Sequence, residues 1–223
     1  MSFSIAENLN TIKNKIPEDV SLVAVSKTKP VEDLKKAYDA GQRIFGENKV
    51  QELREKQPQL PNDIEWHMIG HMQSNKVKYI APYISLIHGV ESLKLLQEIN
   101  RQALKNNRVI KVLLQFHIAS ESTKFGLQLK EAKEILDSDE FQKLQNIEIS
   151  GVMGMASFVE NKSQVRLEFT KLKSIFEDLK SNYFTSTESF STISMGMSGD
   201  YQIAIEEGSN MIRVGSSIFG ARN

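Results

Sequence analysis

LVAVSKTKPVEDLKKAYDAGQRIFGENKVQELREK, residues 22–56, states one rhythm twice. A short apolar run, LVAV (22–25), leads into a helical pattern from Val31 to Ala40. RIFG (43–46) then leads into NKVQELREK (48–56). A β-rich run followed by a helix, then repeated, reads as parallel strands joined by crossover helices. Outward from this stretch the unit recurs. EWHMIG (65–70) precedes SNKVKYI, YISLIHGV (83–90) precedes SLKLLQEINRQALKN, and VIKVLLQFHI (109–118) precedes LKEAKEILDSDEF. IEISGVM (147–153) precedes SQVRLEFTKLKSIFEDLK, FSTISM (190–195) precedes GDYQIAIEEG, and NMIRVGSSIFG (210–220) comes last. Near-continuous Val/Ile/Leu strands such as VLLQF suit a sheet covered on both faces. Eight units in this length favour a single (β/α)8 TIM-type barrel over an open doubly wound sheet. With no proline- or glycine-rich linker, one domain is expected over residues 1–223. The helical stretch Ile5 to Ile16 is an extra element before the first strand.

Composition narrows the function classes. The 223 residues carry 28 Lys plus Arg against 28 Asp plus Glu, a formal net charge of zero. No long-range field gathers nucleic acid or an anionic membrane, so neither is an expected partner. The absence of cysteine removes disulfides, thiolate nucleophiles and Cys-type zinc sites. The N-terminus MSFSIAENLN has neither a basic nor an apolar region of a secretory signal, and no apolar run is long enough to span a bilayer. A cytoplasmic protein is the expectation.

In parallel barrels functional groups lie at the C-terminal ends of the strands. Lys27 abuts VAV at such an end, where partial desolvation would favour a neutral amine able to form a Schiff base. The plainer reading is a lysine that snorkels to water. SMGMSGD (194–200) and VGSS (214–217) follow the last two strands. Their glycines and hydroxyls suit a phosphate, as loops seven and eight with a helix N-terminus often do. Arg213, inside the apolar run MIRVG, needs either a core carboxylate or a ligand. One such ligand is the pyridine nitrogen of pyridoxal 5′-phosphate (PLP), which an arginine would leave unprotonated. His67 and His71 stand four apart, but on a strand end and turn, so no metal site is expected. Glu47, Asn48 and Ser157 read as polar rim residues, and the charges of LREKQ (53–57) as a solvated face.

Taken in order, VAVSKTKP, FGENKVQE, WHMIGHMQSNK, ESTKFG, GVMGM, SMGMSGDYQIAI and RVGSSIFGAR resemble the PLP homeostasis protein family. That family is similar to the N-terminal barrel of alanine racemase and other fold-type III PLP enzymes. The resemblance implies that Lys27 is the Schiff-base lysine and that Asn48 lies near the ring. It implies that Ser194, Ser198, Gly215 and Ser216 hold the phosphate and that Arg213 faces the pyridine nitrogen. Met153 and Met195 join this cofactor-binding set as lining, not chemistry. Lys124 matches a loop lysine that would make a secondary PLP contact. His117 stands where related sequences often have asparagine, and Ser216 where threonine is common.

The function so implied is PLP binding in intracellular homeostasis, by buffering or delivery, with apo PLP-dependent enzymes as recipients and no catalytic residue. Racemisation needs acid/base groups on both faces of the substrate. The chain ends at Asn223, and none of Tyr38, Tyr79, Tyr83, Tyr183 and Tyr201 reads as lying at a strand's C-terminal end, so the second group is expected to be missing. A monomer is the simpler expectation. The alternatives are a small PLP-dependent amino-acid racemase or lyase, and a sugar-phosphate aldolase or isomerase using Lys27 for a substrate imine.

Overall fold

In a computed structural model, described over residues 4–121 and 125–220, the eight strands close into a barrel. They are β1 (Ser21–Val25), β2 (Ile44–Glu47), β3 (Glu65–Met68), β4 (Leu86–Val90), β5 (Ile110–Phe116), β6 (Ile147–Gly154), β7 (Thr192–Ser194) and β8 (Met211–Val214). Each pairs in parallel with the next, and β8 pairs with β1 to complete the ring, with Val23 opposite Arg213.

The helices are α1 (Ile5–Lys13), α2 (Val31–Asp39), α3 (Val50–Lys56), α4 (Leu93–Lys105), α5 (Leu129–Leu136), α6 (Asp139–Gln142), α7 (Lys162–Asn182), α8 (Tyr201–Glu206) and α9 (Ser216–Phe219). The segment after β3 forms 3-10 turns over Ser74–Tyr79 in place of a regular helix. The extra N-terminal helix is present. Ser4 and Glu7 cap α1 reciprocally, each accepting from the other's backbone N–H, and Asn8 Nδ2 donates to Ile218 O at 3.0 Å, fastening α1 to α9.

Strand alternation sorts the side chains. Leu22 and Ala24 join the large shell between strands and helices, whereas Val23 turns inward with Leu86, Leu113, Met153 and Met211. Further along the same strands the interior becomes polar: Leu86 is followed by His88, Leu113 by Gln115, and Met211 by Arg213. On β4, β5 and β8 the interior is therefore stratified, apolar toward the N-terminal ends and polar toward the C-terminal ends. Register shifts between Val112 and Leu113 where β5 pairs with β6. Beside that shift Gly151 has φ +152, and a Cβ there would fall 1.9 Å from Thr192 O, so only glycine lets β6 lie so close to β7.

Candidate functional site

The turn after β1 carries Lys27, half-buried, between the fully buried Ser26 and Thr28 at φ +65. A threonine in the left-handed region is strained and needs external support. That support comes from α3. Glu52 accepts the Thr28 N–H at its Oε1. Lys56 Nζ donates to Ser26 O (2.7 Å), Glu47 Oε1 (2.8 Å) and Glu52 Oε1 (2.6 Å), which matches all three ammonium protons to acceptors. Ser26 Oγ donates to Glu47 Oε1 at 2.6 Å. The residues on both sides of Lys27 are thus clamped by one charged cluster beneath it.

Lys56 corrects the expectation that LREKQ is a solvated face: it is 5% exposed. Val50, Leu53 and Lys56 share the buried stripe of α3, and the spacing of three puts the lysine under the barrel rim. Glu47, expected at the rim, is also buried. Burial pushes its carboxyl up, against the lowering pull of Lys56. Replacing Lys56 with methionine is expected to lose about 3–5 kcal/mol of stability, because two carboxylates lose their buried cation. Urea unfolding at pH 7 measures this, and the loss should shrink as pH is lowered and Glu47 protonates.

Asn48 follows β2 at the same end of the barrel. Its Oδ1 is buried and has no hydrogen-bond partner among the described residues. Its main chain lies so close to Gly70 that a Cβ there would sit 2.4 Å from Asn48 O. The other side of the mouth holds the two glycine-serine loops, which are joined: Gly215 N donates to Ser198 Oγ at 3.2 Å. Gly215 abuts β1, where a Cβ would meet Val25 O at 3.1 Å. Ser216 is exposed. Asp200 accepts the Met197 N–H at 2.6 Å; burial pushes its carboxyl up, and Arg213 draws it down.

Arg213 points into the barrel and is buried. Its Nη1 donates to Ser194 Oγ (2.6 Å) and its Nη2 to Gly154 O (2.9 Å). Burial lowers its pKa to about 10, so it keeps its charge at neutral pH. A core salt bridge was one expectation for it; hydroxyl and carbonyl partners take that place. Ser194, expected with the phosphate group, lies in this inner network, with His88 Nδ1 also 3.1 Å from its hydroxyl. His88 Nε2 is in turn 3.0 Å from His67 Nδ1. Burial drives both rings to the neutral form, His67 down to about 3 and His88 well below its ordinary value.

Met153 lies in the inner cluster. Met195 does not line the interior. Alternation on β7 sends its side chain outward into the strand–helix shell, and its backbone N–H and C=O bond Met211 O and the Ser209 hydroxyl. Ser157, expected at the rim, is buried, and its hydroxyl donates to Glu168. His117 Nε2 lies 2.8 Å from Glu121 O. Lys124 lies outside the described residues. No group of three metal-ligating side chains occurs among the described residues, and none of their helices is long and apolar enough to cross a membrane.

Comparisons with known proteins agree with this architecture. Residues 3–223 match the family described as "Alanine racemase, N-terminal domain". The pyridoxal phosphate homeostasis protein of Aquifex aeolicus (strain VF5) is 38% identical over 202 residues, covering 90% of this chain and 86% of that protein. Its counterpart in Vibrio alginolyticus is 37% identical, covering 99% of this chain and 98% of the other. Among solved structures, PipY of Synechococcus elongatus PCC7942 with PLP bound superposes with TM-score 0.89 at 33% identity, covering 97% of this chain and all of PipY. Alanine racemase of Clostridium difficile 630 superposes with TM-score 0.80 at 19% identity, and the chain spans 60% of it, a likeness of fold alone.

Proposed function

The chain belongs to the alanine racemase N-terminal domain family and, within it, groups with the pyridoxal phosphate homeostasis proteins; from that premise we propose that it binds PLP through Lys27 and buffers or delivers it. The observation that carries this reading is the pairing, at one barrel mouth, of a clamped lysine with a buried amide oxygen that lacks a partner among the described residues. When bound, PLP supplies a carbonyl carbon that a lysine amine can attack and a ring that can withdraw electrons.

The chain's own residues then have distinct tasks. Lys27 offers the amine from a turn held on both sides. Asn48 Oδ1 meets the ring or its substituents. Ser198, Gly215 and Ser216, on two loops already bonded together, surround the phosphate. Arg213, fixed and charged, offers N–H donors to the pyridine nitrogen and no proton to release. Met153 lines the interior beneath. These assignments describe one cofactor-binding domain over 1–223 that works as a cytoplasmic monomer, with apo PLP-dependent enzymes as recipients and no side chain assigned to turnover.

The test is titration of cofactor-stripped protein with PLP, followed by borohydride reduction and peptide mapping. The expected result is one pyridoxyl group per chain, on Lys27. A tag elsewhere, or none at saturation, overturns the reading. A second expectation concerns the phosphate. Gly215→Ala places a methyl against Val25 and should displace the loop. PLP affinity is expected to fall by about tenfold, close to 1.4 kcal/mol, with the thermal midpoint little changed. Fluorescence titration beside a thermal melt checks both.

A further inference from the structure

The inner polar layer holds four side chains in series: Arg213, Ser194, His88 and His67, at 2.6, 3.1 and 3.0 Å. All four are buried. Arginine has only donors, so the direction of the first bond is fixed: Nη1 gives and Ser194 Oγ receives. The serine proton then has one well-placed acceptor, His88 Nδ1. If His88 instead donated from Nδ1, the hydroxyl would accept twice and its proton would be stranded in a buried place. So Nδ1 of His88 is the bare nitrogen and its proton sits on Nε2. That Nε2–H points at His67 Nδ1, which must be bare in turn, with the His67 proton also on Nε2. A charged ring at either place would set two donors against each other or leave one histidine facing a like charge beside Arg213.

We infer that Ser194, His88 and His67 form a one-way hydrogen-bonded relay that positions the Arg213 guanidinium, and that both histidines are locked as neutral Nε2–H tautomers. Ser194 is thereby a positioning residue for Arg213 and not a phosphate ligand. Gly154 O holds the second arm of the guanidinium, which leaves its plane set by two bonds. Among these four side chains there is one fixed positive charge and no second group that changes charge near neutrality. The tautomer order stands on the chain's own geometry. The consequence for the cofactor rests on the PLP reading above.

The experiment is nitrogen NMR on the full chain with 15N-labelled histidine, first stripped of cofactor and then with PLP. Wild-type protein should give two buried histidines with Nδ1 bare and Nε2 protonated, unchanged from pH 6 to 8. A protonated Nδ1 on His88, or a charged ring at either residue in that range, overturns the relay, whatever PLP does. Ser194→Ala is then expected to shift the His88 Nδ1 signal, move the absorbance maximum of bound PLP, and weaken PLP by about tenfold, the worth of one hydrogen bond to a charged group. Ser194→Thr, which keeps the hydroxyl, should restore the tautomer pattern and the absorbance. If Ser194→Ala folds and leaves both signatures where they were, the positioning role is wrong. If that variant does not fold, the wild-type tautomers still decide.

Discussion

Lys27→Ala removes the visible absorbance band of PLP-saturated protein and lowers PLP affinity by at least about 100-fold, near 2.7 kcal/mol. The alanine takes away the amine that bonds the cofactor's carbonyl carbon. It leaves the Ser198–Gly215 loops and Arg213 in place, so weak binding through phosphate and ring should survive. The fold should tolerate the change. The turn is held on both sides of Lys27: Glu52 accepts the Thr28 N–H, and Lys56 donates to Ser26 O. Spectral titration paired with a thermal melt separates the outcomes. Retention of the band in a folded variant would move the covalent site to another lysine. Loss of folding would mean the Lys27 side chain helps to hold the turn that α3 is argued to clamp.

The second large effect is acid sensitivity. His67 is pushed down to about 3 in the folded protein and His88 well below 6.5, both by burial. In the unfolded chain each takes up a proton near its ordinary pKa of about 6.5. Below that pH the unfolded state binds more protons, so stability falls as pH falls, by about 1.4 kcal/mol per pH unit for each histidine. The window runs from about 6.5 down toward 3. Glu47 and Asp200 act in the opposite sense, because burial raises both carboxyls and each holds a proton longer in the fold than out of it. The histidines take up protons on unfolding from about pH 6.5, and the two carboxyls offset part of that at lower pH. Urea unfolding at pH 7, 6 and 5 is expected to show stability falling with pH, with at most two net protons taken up on unfolding at pH 5. A flat profile across that range would show that the two rings are not held neutral.

Much of this is legible in the amino-acid sequence. The alternation from residue 22 onward yields all eight strands, because a parallel barrel repeats one local pattern and buries each strand on both sides. One rule, that barrel chemistry follows the strands, points to Lys27, Asn48 and the two glycine-serine loops, and the structure places each directly after a strand. What escaped was what lies beneath the mouth. Lys56 looked solvated because LREKQ alternates charge; the apolar spacing from Val50 through Leu53 would have exposed it. His88 and Ser194 could have been paired only by knowing that alternate residues of β4 and β7 face one another across the ring. Met195 was misplaced by a single step of the same alternation. Both failures are of one kind: strand direction is local, but which residue faces which across a closed sheet is not.

The stratified interior sets how fast acid can act, and not only how far. Protons bound for His67 and His88 meet Val23, Leu86, Leu113, Met153 and Met211 on one side, a dry stopper. Their route is through the C-terminal mouth, past whatever occupies it. A ligand seated there would cover the polar end of the interior, so acid inactivation should slow with occupancy even at a pH where the final equilibrium is unfolded.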